Sequence, residues 1–452
     1  MNIVIIGDGK IGSTLAEQLL REGHDIVVVD NDAEALENSI STQDIMCVEG
    51  NGALMEVQEE AGVKDADVVV VCTSMDELNM LCCLMAKKLG AKKTIARVRN
   101  PEYYSQINLI KDDLGLSMYI NPEFSAAAEI SRLLIFPSAE KIELFAKGRV
   151  ELVEHTVAED NPICGYALKD IYKKYKIKML VCAVQRGDEV FIPDGNFVLE
   201  SGDVINISAT HSEIEKFFHH TDTKKRKINS VMIIGGGKIG YYLAKQLSDL
   251  KMQVKIVDND MERCRQLSEL LPDVSVIFGD GTDQALLYEE GVDQVDAMVA
   301  LTGIDEENFI VSMFCKSINV PKIITKINRE TYIDMAEKLG LESIITPASI
   351  SANHVISYVR AIKNSEGSNE ETLYRLINNR LEALEFIITE NEGYVGKPLK
   401  ELTLKENNLI ACIVRHRKII IPNGDDRIEV GDSVVVVTTN TNAVHDIKEI
   451  IG

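Results

Sequence analysis

The chain has 452 residues, 45% of them hydrophobic, with 71 acidic and 48 basic side chains and a formal net charge of −23. That charge repels phosphate backbones and excludes a nucleic-acid role over most of the surface, although a local nest of N–H groups can still hold an anion on an acidic protein. No run approaches the roughly 18 apolar residues that cross a bilayer, and the nine cysteines contain no CxxC pair, so they read as reduced, buried thiols.

Ile3 to Ile6 forms a short apolar strand, followed by the turn Gly7-Asp8-Gly9-Lys10-Ile11-Gly12. The opening lacks a basic region, an apolar stretch and a cleavage site, so a cytoplasmic protein is expected. Ile11, Leu15 and Leu19 recur at helical spacing, Gly23 stops that helix, and "DIVVVD" is the second strand, ending on Asp30. "DVVVVCT" and "TIARV" are further strands. They are apolar on both faces, as a parallel sheet covered by crossover helices requires.

Near residue 135 the pattern changes to short strands and turns, with Asp194-Gly195 and Gly202-Asp203 as turn signals. "HHTDTKKRKINS", residues 219–230, is polar, and its basic run Lys224 to Lys227 reads as a solvated linker. The whole series then repeats. Shifted by about 228 residues, Gly7, Gly9 and Gly12 meet Gly235, Gly237 and Gly240, Asp30 meets Asp258, and the "EGNG" loop at 49–52 meets "FGDG" at 278–281. The predicted organisation is a nucleotide-binding α/β domain at 1–134, a small α+β domain at 135–218, a linker at 219–228, a second α/β domain at 229–366 and a second small domain at 367–452.

The glycine turn follows a strand and opens a helix, and that context gives the motif its meaning. The first glycine permits the tight turn, the second removes the side chain that would block a pyrophosphate, and the third lets helix and strand pack closely. Phosphates then accept N–H groups at the positive helix end. Asp30 and Asp258, each ending the second strand of its copy, suit the two hydroxyls of an adenosine ribose and repel a 2′-phosphate. Lys10 and Lys238 either approach phosphate or point to solvent. Thr73 and Thr302 end the fourth strands, and Arg97 and Lys326 end the fifth, where a guanidinium forks onto phosphate oxygens and an ammonium does not. Asp76, Glu77 and Asn79, with Asp305 to Asn308, are either helix caps or ligand contacts. The eight histidines offer no duplicated acid–base candidate, no metal-ligand pattern occurs, and no GxSxG is present, so no catalytic residue and no metal site are expected.

Taken together, "IVIIGDGKIGSTLAEQL", "VVVDND", "GNGALMEVQEEAGVKDADVVVVCTSMDELN", "VMIIGGGKIGYYLAKQL", "GYALKDI" and "GKPLKEL" resemble the TrkA family of RCK, or KTN, domain proteins over essentially the whole chain. The resemblance implies two tandem Rossmann-like parallel-sheet domains, each followed by a smaller α+β RCK C-terminal domain. It also implies a non-enzymatic sensor that binds NAD(H), and ATP or ADP. Such a sensor is peripheral to the inner face of the membrane, in a dimeric or tetrameric ring on an integral potassium-translocating subunit resembling TrkH or TrkG. Carried over, the first site comprises Gly7, Asp8, Gly9, Lys10, Ile11, Asp30, Asn51, Thr73, Ser74 and Arg97 or Val98. The second comprises Gly235, Gly236, Gly237, Lys238, Ile239, Asp258, Gly279, Asp280, Thr302 and Lys326. Lys326 in place of Arg97 and Gly303 in place of Ser74 are departures that bear on the second site's preference. The rival readings are an NAD-dependent dehydrogenase and a regulator of a different cation transporter.

Overall fold

Apolar β-branched runs and amphipathic helices alternate through the first 135 residues, and each becomes an element of the computed structural model. The structure describes the chain apart from residues 43–44, 146–149, 188, 222–226, 342, 366–369, 377–380, 390–391, 406, 417, 440–446 and 452. The strands are β1 (Asn2–Ile6), β2 (Asp25–Asp30), β3 (Met46–Glu49), β4 (Val68–Val71), β5 (Lys93–Arg97) and β6 (Met118–Ile120). The helices are α1 (Lys10–Arg21), α2 (Ala33–Thr42), α3 (Met55–Glu60), α4 (Asp76–Leu89), α5 (Pro101–Ile110) and α6 (Pro122–Ile135). The strands pair in the order β3-β2-β1-β4-β5-β6, all parallel. The order reverses between β1 and β4, and a crevice opens there beyond the carboxyl ends of the strands.

Burial explains why this sheet forms. All four valines of β4 are buried, and α1 lays Ile11, Leu15, Ala16 and Leu19 against the sheet. Burying each such side chain contributes about 1.5–3 kcal/mol. Val4, Ile6, Val69, Val71, Cys82, Cys83 and Ala96 belong to one buried apolar cluster of this lobe.

A smaller antiparallel lobe follows: β7 (Lys141–Phe145), β8 (Val150–Thr156), α7 (Leu168–Tyr175), β9 (Met179–Arg186), β10 (Glu189–Phe191), β11 (Val204–Ala209) and α8 (His211–Thr221). Its sheet runs β10-β9-β11-β8-β7. Helix α8 extends three residues into the segment read as a linker, whose residues 222–226 lie outside the described residues, as does the basic run apart from Lys227.

The second copy comprises β12 (Ser230–Ile234), α9 (Lys238–Asp249), β13 (Gln253–Asp258), α10 (Met261–Leu270), β14 (Ser275–Phe278), α11 (Gln284–Glu289), β15 (Ala297–Ala300), α12 (Asp305–Ser317), β16 (Lys322–Lys326), α13 (Ile333–Lys338), β17 (Ser343–Ile345) and α14 (Pro347–Ser365). Its parallel order, β14-β13-β12-β15-β16-β17, reproduces the first sheet. The predicted boundary after residue 366 falls outside the described residues. The last lobe contains β18 (Glu370–Leu376), β19 (Leu381–Ile387), β20 (Asn408–Arg415), β21 (Lys418–Ile420) and β22 (Ser433–Thr438), ordered β18-β19-β22-β20-β21.

The four lobes group by kind. One compact unit holds Met1–Ser131 with Asn229–Ile356, and the other holds Arg132–Ile228 with Ser357–Gly452. In the first unit Tyr242 of α9 joins the copies. Its hydroxyl donates to the Arg99 carbonyl at 3.1 Å and accepts from Asn121 Nδ2 at 3.0 Å, and its ring meets Phe124 edge-on at 5.5 Å. Burial pushes this phenol up to about 12. In the second unit one apolar cluster includes Leu152, Cys182 and Ala183 from one small sheet and Ala383, Cys412 and Val435 from the other. Each small lobe also carries the same latch. Arg186 forks onto Asp203 at 2.7 Å through both Nε and Nη2, and Arg415 forks onto Asp432 at 2.9 and 2.8 Å.

Candidate functional site

The first crevice is assembled from four loops that leave β1, β2, β4 and β5 at the same sheet edge. Gly7 has φ +104°, and its N–H donates to the Val29 carbonyl at 2.8 Å. A side chain on Gly7 would lie 2.9 Å from the Thr73 backbone nitrogen, and one on Gly12 would lie 1.9 Å from the Gly7 carbonyl oxygen. Both glycines are therefore required by close backbone approach. Gly9 is different. It has φ −73°, caps the N-terminus of α1, and a Cβ there would meet nothing within 4 Å. No side chain caps α1, so its first N–H groups face the open space that Gly9 leaves. Gly237 repeats this at the start of α9, with φ −60°, no side-chain cap and open space beyond its Cα.

The strand-end aspartates organise these loops. Asp30 accepts the Asp8 N–H at 2.5 Å and the Asp32 N–H at 2.9 Å. Asp258 accepts from Gly236 at 2.6 Å and Asp260 at 2.8 Å. Each carboxylate keeps lone pairs for a ligand hydroxyl. Asp8 is itself buried, accepts the Ser39 hydroxyl at 2.6 Å, and has its pKa raised by burial, with Asp30 adding to the rise.

On the other side of the switch point Asn79, fully buried in α4, is the hub. Its Oδ1 accepts the Thr73 N–H at 2.9 Å and the Thr73 hydroxyl at 2.6 Å, and its Nδ2 donates to the Arg97 carbonyl at 2.9 Å. Asn308 likewise accepts the Thr302 N–H at 2.8 Å and donates to the Lys326 carbonyl at 3.1 Å, while the Thr302 hydroxyl donates to the Ile304 carbonyl at 3.1 Å. Asp76 makes no capping bond to α4. It accepts the Arg99 and Asn100 N–H groups at 2.9 and 2.7 Å and so shapes the loop after β5, as Asp305 does with Asn328 and Arg329 at 3.0 Å.

The remaining sequence-nominated residues divide clearly. Asn51 is exposed, with its Oδ1 accepting the Ala53 N–H, and Ser74 is exposed, its carbonyl held by Arg99. Gly279 donates to the Asp258 carbonyl at 2.9 Å, and Asp280 is exposed, its pKa lowered by hydrogen bonds from Thr282. Ile11, Ile239 and Val98 are core side chains, and the Val98 N–H is already given to Ile120. Only their remaining main-chain groups can meet a ligand.

The lysines and arginines resolve the alternatives left by the sequence. Lys10 is exposed, whereas Lys238 is partly buried, and its pKa is lowered by burial and then by Arg99 of the first copy. Arg97 pairs with Glu123 at 3.1 Å. Lys326 is buried and, among the described residues, its ammonium reaches only the Leu301 carbonyl, at 3.5 Å, and burial holds its pKa below the usual lysine range. The second crevice thus carries a less compensated cation at the end of its fifth strand. Sequence reasoning missed Arg99, Glu123, Ser39 and Arg263. For Arg263 the signal was available, since the repeat places it opposite Ala35.

The arrangement can hold an anionic nucleotide by N–H donors, a ribose acid and a cation. Among the described residues no group of three or more His, Cys, Asp or Glu is placed to hold a metal, and no helix is long and apolar enough to cross a membrane.

Comparison with known proteins agrees with this architecture. The TrkA-N domain matches residues 3–122 and 231–347, and the TrkA-C domain matches residues 152–220 and 383–452. A Trk system potassium uptake protein TrkA homolog of Archaeoglobus fulgidus is 34% identical over 439 residues, covering 96% of this chain and 97% of the relative. The solved GsuK channel bound to NAD superposes with a TM-score of 0.65 at 18% identity, covering 97% of this chain and 77% of that one. GsuK bound to ADP superposes with a TM-score of 0.52 at 17% identity, covering 79% and 69%.

Proposed function

The chain belongs to the TrkA family of Trk-system potassium uptake proteins, and on that premise we propose that it is a regulatory subunit that senses a nucleotide and gates a membrane potassium-translocating partner. The observation that carries this reading is the duplicated crevice. In each copy uncapped helix N–H groups face an open glycine, with an anchored aspartate at the ribose end and a cation at the end of the fifth strand. The ligand is NAD(H), with ATP or ADP as the second candidate, and the chain senses it without chemically changing it.

Gating follows from differential affinity. A nucleotide that bridges loops from both sides of the switch point favours the lobe arrangement in which those loops fit it best. Moving an equilibrium from about 1:99 to 99:1 requires about 5.5 kcal/mol of preference, which several crevices around a ring of chains can share. The chain acts at the inner membrane face as a homo-oligomer, each copy contributing two nucleotide lobes and two small lobes.

The test is titration of the purified full chain with NADH and ATP, alone and with the co-purified membrane subunit. Saturable binding whose affinity changes on adding the subunit is expected. Equal affinity in both preparations overturns the coupling, and steady NADH consumption with a hydride acceptor overturns the sensor reading in favour of a dehydrogenase.

A further inference from the structure

The two crevices share their scaffold but not the charge around the ribose aspartate. In the first, Asp8 stands next to Asp30 in space, joined by the 2.5 Å bond from its own N–H. Asp8 is 8% exposed, its Oδ2 is held by Ser39 at 2.6 Å, and its Oδ1 is buried with no hydrogen-bond partner among the described residues. Such an oxygen prefers a donor, such as a ribose hydroxyl, and repels a second anion.

In the second crevice the main-chain bond to the strand-end aspartate is kept, at 2.6 Å, but both side chains are exchanged. Gly236 replaces Asp8 and Leu267 replaces Ser39. There is no room to restore the acid, because a Cβ on Gly236 would lie 2.5 Å from Leu267 Cδ1 and 3.1 Å from Asp258 Oδ2. A guanidinium appears instead. Arg263, on the first turn of α10, donates from Nε to the Gly236 carbonyl at 2.7 Å and from Nη2 to the Gly237 carbonyl at 3.5 Å. Asp258 holds the N–H of the same Gly236 whose carbonyl Arg263 holds. Arg263 pairs with no carboxylate among the described residues, and the position opposite it in the first copy is Ala35. The charges that the copies share, Asp32 with Asp260 and Glu34 with Glu262, cancel in the comparison. Beside the strand-end acid, what differs is the Asp8 carboxylate in one crevice against the Arg263 guanidinium in the other, and farther out Glu37 and Glu49 give way to Arg265 and Phe278.

We propose that the crevices select different nucleotides at the ribose: the first admits only a free ribose diol, and the second, through Arg263, also accepts a nucleotide phosphorylated at the ribose 2′ position. An arginine beside the strand-end acid provides planar, charge-assisted donors for such a phosphate. This extends to one crevice a ligand class that the strand-end aspartates alone turn away, and it rests on the nucleotide-sensing reading above.

NADH and NADPH differ only by that phosphate and serve as the probes, read by nucleotide fluorescence in a chain without tryptophan. Each crevice is isolated in the full chain by filling the other: Gly9→Val leaves the second and Gly237→Val leaves the first. The first crevice is expected to bind NADPH about 100-fold more weakly than NADH, and the second to bind both within about fivefold. In the Gly9→Val chain, Arg263→Ala is expected to weaken NADPH about tenfold while NADH changes less than about threefold. A purely structural Arg263 would weaken both alike. Asp8→Asn in the Gly237→Val chain is expected to narrow the preference for NADH, which keeps the idea testable if the arginine variant fails to fold. Equal NADPH-to-NADH ratios in the two crevices, or parallel losses in Arg263→Ala, overturn this proposal and leave nucleotide sensing intact. No binding of either nucleotide to either crevice overturns both.

Discussion

Gly9→Val separates binding from folding in a way the other glycines do not permit. Residue 9 has φ −73° and ψ −176°, which any L-residue adopts, and its Cβ meets nothing within 4 Å. The valine therefore costs only the poorer helix cap, about 1 kcal/mol. Its methyl groups enter the open space at the start of α1 that the proposed function gives to a pyrophosphate. Losing two N–H bonds to phosphate, at about 1.5–3 kcal/mol each, removes about 3–6 kcal/mol of affinity, a hundredfold or more. Gly12→Ala is the contrast. Its Cβ would lie 1.9 Å from a backbone carbonyl oxygen, so the cost falls on the fold, at about 3 kcal/mol or more. The assay is calorimetric titration with NADH alongside thermal unfolding of both variants. A Gly9→Val chain with the crevice at 237 also filled, yet still binding at parental affinity, would refute the reasoning. So would a Gly9→Val chain that melts as low as Gly12→Ala.

Asn79→Leu leaves the Thr73 N–H and the Arg97 carbonyl unpaired in the core; a loss of about 2–4 kcal/mol in urea unfolding, with weaker nucleotide binding, is expected. Arg415→Ala strands the buried Asp432 carboxylate, though the Glu429 N–H still reaches it and the arginine is partly exposed, so about 2 kcal/mol is expected, with nucleotide affinity unchanged. Asp8 gives a pH signature. Its folded pKa lies above the ordinary 3.8, so the stability it allows is fully present below that value and falls as pH rises through the folded pKa. Asp8→Asn therefore melts higher than the parent at pH 7 and close to it at pH 3, and a parent-like difference at both pH values would contradict the assignment.

The two copies and the parallel sheets were legible in the residues themselves, because they follow from local rules, and the same rules underlie the proposed place of the nucleotide. Alternation and β-branching set the strands, i, i+4 spacing set α1 and α9, and glycines at fixed offsets mark turns that only they can make. The strand-end aspartates were legible for the same reason, since a parallel βαβ unit brings its strand ends to one edge. What lay beyond reach was every property that depends on partners distant in sequence. Asn79 and Asp76 stood three residues apart on one helix and looked alike as caps. Only the packed loops show that one pins Thr73 to the end of β5 while the other shapes the turn after it. Likewise the charge at the second ribose end depends on Arg263 meeting Gly236, 27 residues away, and the environment of Lys238 depends on side chains more than a hundred residues earlier. Secondary structure is specified by neighbours along the chain, whereas electrostatics and hydrogen-bond satisfaction are specified by neighbours in space, and only the folded chain determines those.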